Sequence, residues 1–568
     1  MSIPRPEYPK PQFQRKNWMN LNGQWQFEID NGRSGEARGL SQKGVALCDA
    51  ILVPFCPESK LSGVEHKEFM YGVWYKRTVT FDAHPGKTLL HFGAVDYHCK
   101  VFVNGILVGE HKGGYVSFAF DITHALCAGE NEIAVFAQDD TRDGMIPSGK
   151  QSFTYHSHGC YYTHTTGIWQ TVWMEFLPDT HITSVKYYPN ITDGSVTVDA
   201  SLVGSGNFVC EITFDGVPMG AYSADNAAGR LSFTVKLAEK HLWEVGKGNL
   251  YDVRFTFGED CVNSYFGLRE VRLDGMKFLI NGKSVFQRLV LDQGFYPDGI
   301  YTAPTDEALK GDILMSQAVG FNGARLHEKV FEERFLYHAD KLGYLVWGEY
   351  ADWGLDHQKP ENIYSMLPEW MEAVQRDFNH PSIIGWCPHN ETLERNGHKQ
   401  FEPATALIYD VTKTMDPTRP CIDTSGYFHV KTDIYCVHDY IQEPADFKAR
   451  YGQSTPEGEI FDRYKGKQTY GGQPAFVSEY GGLRWAPGES TEQSWGYGQN
   501  AADEEEFFAR LKGLTDPLLD NADMFGLCYT QLTDVEQEQN GLYTYDRKPK
   551  FDAQRIYKIF ARKAAIED

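Results

Sequence analysis

The sequence predicts two β-sandwiches followed by a closed α/β barrel: a jelly roll over residues 1–180, an immunoglobulin-like sandwich over 181–273 and a (β/α)8 TIM barrel over 274–568. Three observations lead there. At 568 residues the chain is too long for a single core. Its first half reads as many short alternating strands with almost no helix. Its second half alternates apolar strands with helical stretches, the pattern of a parallel barrel.

The first part opens with Trp18, Trp25 and Phe27 in an apolar–polar alternation that suits a half-buried strand. Further strands fall at residues 74–81, 88–92, 118–122 and 131–137. Residues 101–108 form a hairpin, with Asn104 and Gly105 supplying the positive φ angles of a tight turn. A long polar loop, residues 142–160, then leads into Tyr161 and His164. Such a loop is often functional. Either it is an edge packed on the next domain, or residues 161–166 project into a neighbouring site. Strands at 185–188, 195–202, 208–214, 230–235 and 252–257 build the second sandwich, which carries no catalytic cluster and reads as a spacer.

A hairpin at residues 278–286 opens the barrel. Its first strand, 288–291, ends at Asp292. The next helix starts at Thr305, a side-chain cap followed by Asp306 and Glu307, and stops at Gly320. Later strands end at Arg325 and His327, at Glu349, at Asn390 and Glu391, near residues 420–423, at His438, Asp439 and Tyr440, at Glu479, and before Asp534. In a barrel those ends converge on one face, where catalytic groups sit.

The formal net charge of −23 leaves no basic footprint for nucleic acid or an anionic membrane surface. No apolar run is long enough to span a bilayer. Eleven cysteines lie scattered without a C-x-x-C pair, and the first residues show no apolar signal segment. Free thiols in a cytoplasmic protein are the expectation. Whether the chain forms a homo-oligomer is left open. Aromatics make up 14% of the chain, and most are expected in sandwich cores rather than against sugars.

Two stretches carry the chemistry. Residues 383–391 are an apolar run that ends in Asn390 and Glu391, and residues 475–482 deliver Glu479 into a loop with Tyr480, Gly481 and Gly482. Two carboxylates that meet at a barrel mouth are the minimal apparatus for cleaving a glycosidic bond. A lone strand-end Glu is usually an ion-pair partner, and Glu349, Glu394, Glu536 and Glu538 read that way. Glu391 differs because Asn390 beside it can bond a sugar 2-hydroxyl. Glu479 differs because its glycines allow close approach. Candidate binding residues are Asp292, Arg325, His327, Asn390, His438, Asp439, Tyr440 and Trp485, with Tyr161 and His164 from the loop. His327 and His438 are alternatively core histidines. Trp347, Trp353 and Trp386 are sugar platforms or barrel packing.

The chain resembles glycoside hydrolase family 2 over nearly its whole length. The resemblance rests on Trp18, Leu21, Asn22, Gly23 and Trp25; Gly72, Trp74, Tyr75 and Arg77; Asn104 and Gly105 with Gly113, Gly114 and Tyr115; Phe120, Asp121 and Ile122; Thr166 through Gln170; Gly267, Leu268 and Arg269; and the two glutamate motifs. It implies a retaining exo-glycosidase acting on a glycoside or oligosaccharide, with Glu391 as acid/base and Glu479 as nucleophile, and it implies no cofactor and no obligatory metal. Glu391 should then be held protonated by Trp386 and by Glu479, with Tyr440 or Arg325 donating to Glu479. β-Glucuronidases of this family carry an Asn-x-Lys motif after the eighth strand. Here the stretch around Glu538 and Asn540 lacks the lysine, and Asp534 and Glu536 would repel a uronate. A neutral sugar is therefore expected. A β-galactoside comes first, a β-galactofuranoside or α-L-arabinofuranoside next, and a β-glucuronide after them. A carbohydrate-binding protein without catalysis is the competing class.

Overall fold

Two antiparallel sheets form the N-terminal jelly roll. One orders Trp18–Asn20, Val172–Leu177, Lys87–Phe92 and Phe118–Asp121; the other orders Asp49–Val53, Gly23–Ile29, Val73–Phe81, Gly129–Gln138, His98–Val103 and Ile106–Lys112. Their inward residues, among them Trp25, Phe27, Tyr75, Leu90 and Phe92, make one apolar core. The Asn104–Gly105 turn has φ +50° and +82°, as a two-residue hairpin requires. The expected strand across residues 18–27 is two strands, Trp18–Asn20 and Gly23–Ile29, which lie in different sheets. This computed structural model describes residues 3–81, 86–394, 397–453, 460–487 and 494–568.

The immunoglobulin-like unit follows from His181–Asn190 to Asp260–Phe266. Its two longest strands, Ser195–Phe214 and Val217–Lys236, pair along their length. Register breaks near Ser201–Ser205 and Gly206–Phe208 bend them. The first half of Ser195–Phe214 then pairs with His181–Asn190 and the second half with Tyr251–Phe257. The eleven cysteines are free thiols. Among the described residues no helix is long and apolar enough to cross a membrane.

The barrel sheet is parallel. Taken in chain order, its strands are Gln287–Asp292, Gly323–Leu326, Leu345–Glu349, Ile383–Cys387, Tyr435–Asp439, Ala475–Gly481 and Met524–Thr530. The first pairs with the last, which closes the ring on that side. Opposite, the fifth position is reduced to single bridges, Trp386 to Cys421 and Asn390 to Ser425. Pro420 has no N–H to donate. The Asp423 carboxylate takes the backbone N–H groups of Thr424, Val430 and Lys431 at 2.8, 2.6 and 3.0 Å, so this segment is tied down by a side chain rather than a ladder. The helix Asp306–Ala318 starts as expected, with the Thr305 side chain accepting from the Ala308 N–H.

The jelly roll sits directly on the barrel. Glu369 of the helix Ile363–Asp377 accepts from the Tyr115 N–H at 2.6 Å, and Thr302 donates to the Trp169 carbonyl at 2.5 Å. Tyr115, Tyr162 and Trp169 share one continuous apolar core with the barrel. This docking brings the loop of residues 142–162 to the barrel mouth.

Candidate active site

Successive side chains of a strand point to opposite faces, so a strand end delivers alternate residues into the barrel. The second strand turns Arg325 and His327 inward, and the third turns Trp347 and Glu349 inward. Tyr435–Asp439 contributes His438 and, just past its end, Tyr440, and Ala475–Gly481 contributes Glu479. Trp347 lies below the polar layer, bonded to Gln287 at 2.8 Å and stacked over Phe476, so it is barrel packing.

Arg325 organises the layer. It is buried, its Nε bonds Glu349, its Nη1 donates to Glu479 Oε1 at 2.9 Å and to the Ser478 carbonyl at 2.8 Å, and its Nη2 donates to Asn390 Oδ1 at 2.9 Å. His327 Nδ1 lies 3.2 Å from Glu349. The Tyr440 hydroxyl donates to Glu479 Oε2 at 2.5 Å, and its ring stacks on Tyr497 at 3.5 Å. Both oxygens of Glu479 therefore accept a side-chain donor.

Glu391 follows the fourth strand with φ +45°, a left-handed backbone that a non-glycine residue adopts only under restraint. The restraint is its N–H bond to the Ser425 carbonyl at 2.9 Å, on the irregular fifth segment. His438 links the two glutamates: Nδ1 is 2.7 Å from Glu391 Oε1 and Nε2 is 3.3 Å from Glu479 Oε1. One oxygen of each glutamate and a nitrogen of His438 all lie within 4.8 Å of one another. The Glu391 side chain is 21% exposed and that of Glu479 5%, so the pair opens to solvent on the Glu391 side.

Burial raises the Glu391 carboxyl above the usual range; Lys150, Arg325 and Arg463 pull it back, and Asp352 adds to the rise. The expected causes were different. Trp386 faces the other way, bonded to Asp416 at 2.8 Å and packed edge-on against Trp370, and Glu479 is not among the leading contributors. Burial also lowers His438 to about 3, so its imidazole is neutral near pH 7. Asn390 is fixed by Arg325 at its oxygen, while its Nδ2 has no partner among the described residues.

Four of the expected site residues stand elsewhere. Asp292 faces outward from the first strand, bonded to the Gly294 N–H at 2.9 Å and set among Asp312, Lys329 and Arg547. Asp439 faces outward to Arg450 at 2.6 Å and Tyr451 at 2.8 Å. Trp485 packs on Phe507 and Phe551, and with Asp534 and Lys550 lines a separate cavity of about 390 Å³. His164 turns back onto Phe69, its pKa lowered by burial to about 4, and lines another cavity of about 510 Å³. Tyr161 does reach the mouth, where its ring packs against Trp353 at 5.3 Å.

Three residues escaped the sequence reading. Glu349 reads from the sequence as a plain ion-pair partner, yet it shares Arg325 with Glu479. Its position two residues after Trp347, on the same face, was the available signal. Tyr497 had no strand to announce it. Lys150 is the only lysine of the 142–160 loop, and nothing local marks it.

A barrel with paired buried carboxylates at its mouth defines a class, that of barrel hydrolases acting through two acids. Comparison with known proteins gives the family. Residues 18–162 match the sugar binding domain of glycosyl hydrolases family 2, residues 271–564 its TIM barrel domain, and residues 180–269 a further model of glycosyl hydrolases family 2. The chain belongs to glycosyl hydrolases family 2, and it is a glycosidase. A β-glucuronidase of Streptococcus agalactiae is 22% identical over 82% of this chain and 82% of its own. A β-galactosidase of Thermoanaerobacter pseudethanolicus is 27% identical over 66% of this chain and 52% of its own. The fold superposes on the β-glucuronidase of Ruminococcus gnavus, solved with an N1-substituted uronic isofagomine, with TM-score 0.79 at 20% identity, over 98% of this chain and 99% of that one.

Proposed function

We propose that the protein is a retaining exo-glycosidase that removes a terminal neutral sugar, with Glu479 as nucleophile and Glu391 as acid/base. The observation that carries this reading is the approach of the two carboxylates, with oxygens within 4.8 Å. Retention needs carboxyls roughly 5–5.5 Å apart, and inversion needs a wider gap for water. In the first step a Glu479 oxygen bonds to the anomeric carbon. The glycosidic C–O bond breaks, and its oxygen takes the proton of Glu391. In the second step a water gives its proton to Glu391 and attacks the same carbon, releasing Glu479 and a sugar of unchanged anomeric configuration. Arg325 and Tyr440 donate to the nucleophile, burial raises the carboxyl of the acid, and the unpartnered Asn390 Nδ2 is available to the 2-hydroxyl.

The neutral sugar rests on the loop after the eighth strand. Asn540 donates to Glu538 at 3.0 Å, and Lys550 is paired with Asp534 at 2.6 Å. Neither is left to receive a uronate. A β-galactoside is the first substrate to try, with a β-galactofuranoside and an α-L-arabinofuranoside next. The names of the β-glucuronidases matched above favour a second reading, hydrolysis of a β-glucuronide. A panel of nitrophenyl glycosides decides between them. Release from the galactoside or a furanoside supports the proposal. Release from the glucuronide alone replaces it, and sugar binding without any release assigns the chain to a non-catalytic binding role.

A further inference from the structure

Lys150 belongs to the jelly roll, yet it stands at the mouth of the barrel. Its loop is fastened there by main-chain bonds. The Ser148 N–H donates to the Trp353 carbonyl at 2.7 Å, and the Gly149 N–H is shared between the carbonyls of Trp353 at 3.1 Å and Ala351 at 3.3 Å. Gly149 has φ +54°, and a Cβ there would meet the Glu328 carbonyl oxygen at 2.3 Å, so only glycine lets the two backbones come this close. On the other side the Tyr162 N–H bonds the Lys150 carbonyl at 2.8 Å, and Gln151 is held by Asp96 at 2.8 Å. The chain direction at Lys150 is thus fixed from both ends.

The side chain is only 6% exposed. Its Nζ lies 3.8 Å from the ring centroid of Trp353, whose Nε1 donates to the carbonyl of Asn390, the neighbour of Glu391. Among the described residues this ammonium has no hydrogen-bond or ion-pair partner. Its three donors find no acceptor among those residues, so they are available to whatever occupies the mouth. Burial works against its charge, while Cys160 and then the carboxyls of Glu538, Glu391 and Glu479 favour it from a distance.

We propose that Lys150 donates a hydrogen bond to a hydroxyl of the sugar held between Glu391 and Glu479, and thereby helps to decide which sugar is cleaved. This rests on the glycosidase reading above and names a specificity residue from a second domain. The acceptor is a hydroxyl rather than a carboxylate because the nucleophile Glu479 already faces the same space as Lys150. An anionic sugar would meet that acid.

The test uses the full chain with the K150M variant, which keeps the aliphatic packing over Trp353. On the best nitrophenyl glycoside, kcat/KM should fall about 10- to 100-fold, the range expected for one hydrogen bond from a charged donor, while the melting temperature stays unchanged. Monodeoxy versions of that substrate add the deciding measurement. One of them should be cleaved equally by both proteins, because the acceptor of Lys150 is gone. A merely structural lysine would penalise every deoxy sugar alike, and that result overturns the proposal. So does an unchanged kcat/KM. A defect confined to a glucuronide overturns it in favour of a carboxylate clamp. Failure of the wild-type chain to cleave any glycoside, by contrast, removes the function reading itself and this proposal with it.

Discussion

Two buried charge clusters lie at the strand ends of the barrel, and they differ mainly in the face they occupy. Inside, Arg325 binds Glu349, Glu479 and Asn390. Outside, Arg547 spans Asp312 at 3.2 Å through two nitrogens and donates to the Phe295 carbonyl at 2.7 Å, with Asp292 close by. Each has an arginine satisfying acids that water cannot reach. The inner cluster leaves groups open toward a mouth: Glu391 is partly exposed and Asn390 Nδ2 is unpartnered. The outer one packs against the helix Asp306–Ala318, which supplies Asp312, and its Asp292 is spent on the Gly294 N–H. Composition therefore does not distinguish a reaction centre from a structural clamp. The face of the strand does.

The comparison breaks most visibly at the carboxylates. Glu479→Ala should bring turnover below detection, and external azide should restore release of the leaving group with a glycosyl azide of inverted configuration as product. Glu391→Ala should lose about 10²- to 10⁴-fold with a poor leaving group and far less with an activated one. Asp312→Asn, in the outer cluster, should leave kcat/KM within about twofold. A loss there matching that of Glu391→Ala, in the same nitrophenyl assay, would abolish the distinction between the clusters.

Arginine removal comes next in size. Arg325→Met leaves Glu349 and Glu479 buried without their cation, a change of about 3–5 kcal/mol in stability, and should also remove activity. Arg547→Met should lower the melting temperature by less, because its side chain is 17% exposed, and should keep kcat/KM. Thermal unfolding and steady-state kinetics on the same samples separate the two effects.

Protons give a third contrast. Burial and Asp312 push Asp292 up to about 7, above its ordinary 3.8. The folded protein therefore holds a proton there that the unfolded chain releases. The stabilisation is complete below about pH 4 and is lost as pH rises through about 7. Asp292→Asn should flatten that part of the stability curve without altering the activity profile. The activity profile should instead follow Glu391. Its raised carboxyl keeps the acid form at higher pH, and kcat/KM should fall as pH rises through it. That basic limb should be absent in Glu391→Ala, assayed with an activated glycoside.

Much of this was legible in the sequence. The Asn104–Gly105 and Thr305 signals act locally, and the apolar strands around Glu391 and Glu479 are marked by their own composition. The expectation failed where orientation decides. Asp292 and Asp439 end strands as Arg325 and His438 do, but sit on the outward face, and a one-residue change of register swaps the faces. Bulges at Val437–His438 and Val477–Tyr480 blur that register further. Lys150 was invisible for a different reason. Its place depends on docking between two domains, through Gly149 and the Trp353 carbonyl, and no local pattern encodes a contact between residues some two hundred positions apart.

The smallest effect tests the rule of faces directly. Asp439 lies between His438 and Tyr440, both of which touch Glu391 or Glu479. If proximity in sequence were what mattered, Asp439→Asn should harm catalysis as much as changes at its neighbours. Its carboxylate instead points to Arg450 and Tyr451 of the helix Pro444–Tyr451. Arg450 is 34% exposed, so the ion pair is partly screened. An asparagine that keeps the oxygen Tyr451 donates to loses the charge and the acceptor of the Ile441 N–H at 3.1 Å. The expected cost is about 1 kcal/mol or less, seen as a small drop in the urea midpoint, with kcat/KM unchanged on the best glycoside. A tenfold loss in kcat/KM at full stability would place this carboxylate in the reaction and show that side-chain parity is a poor guide at the end of this strand.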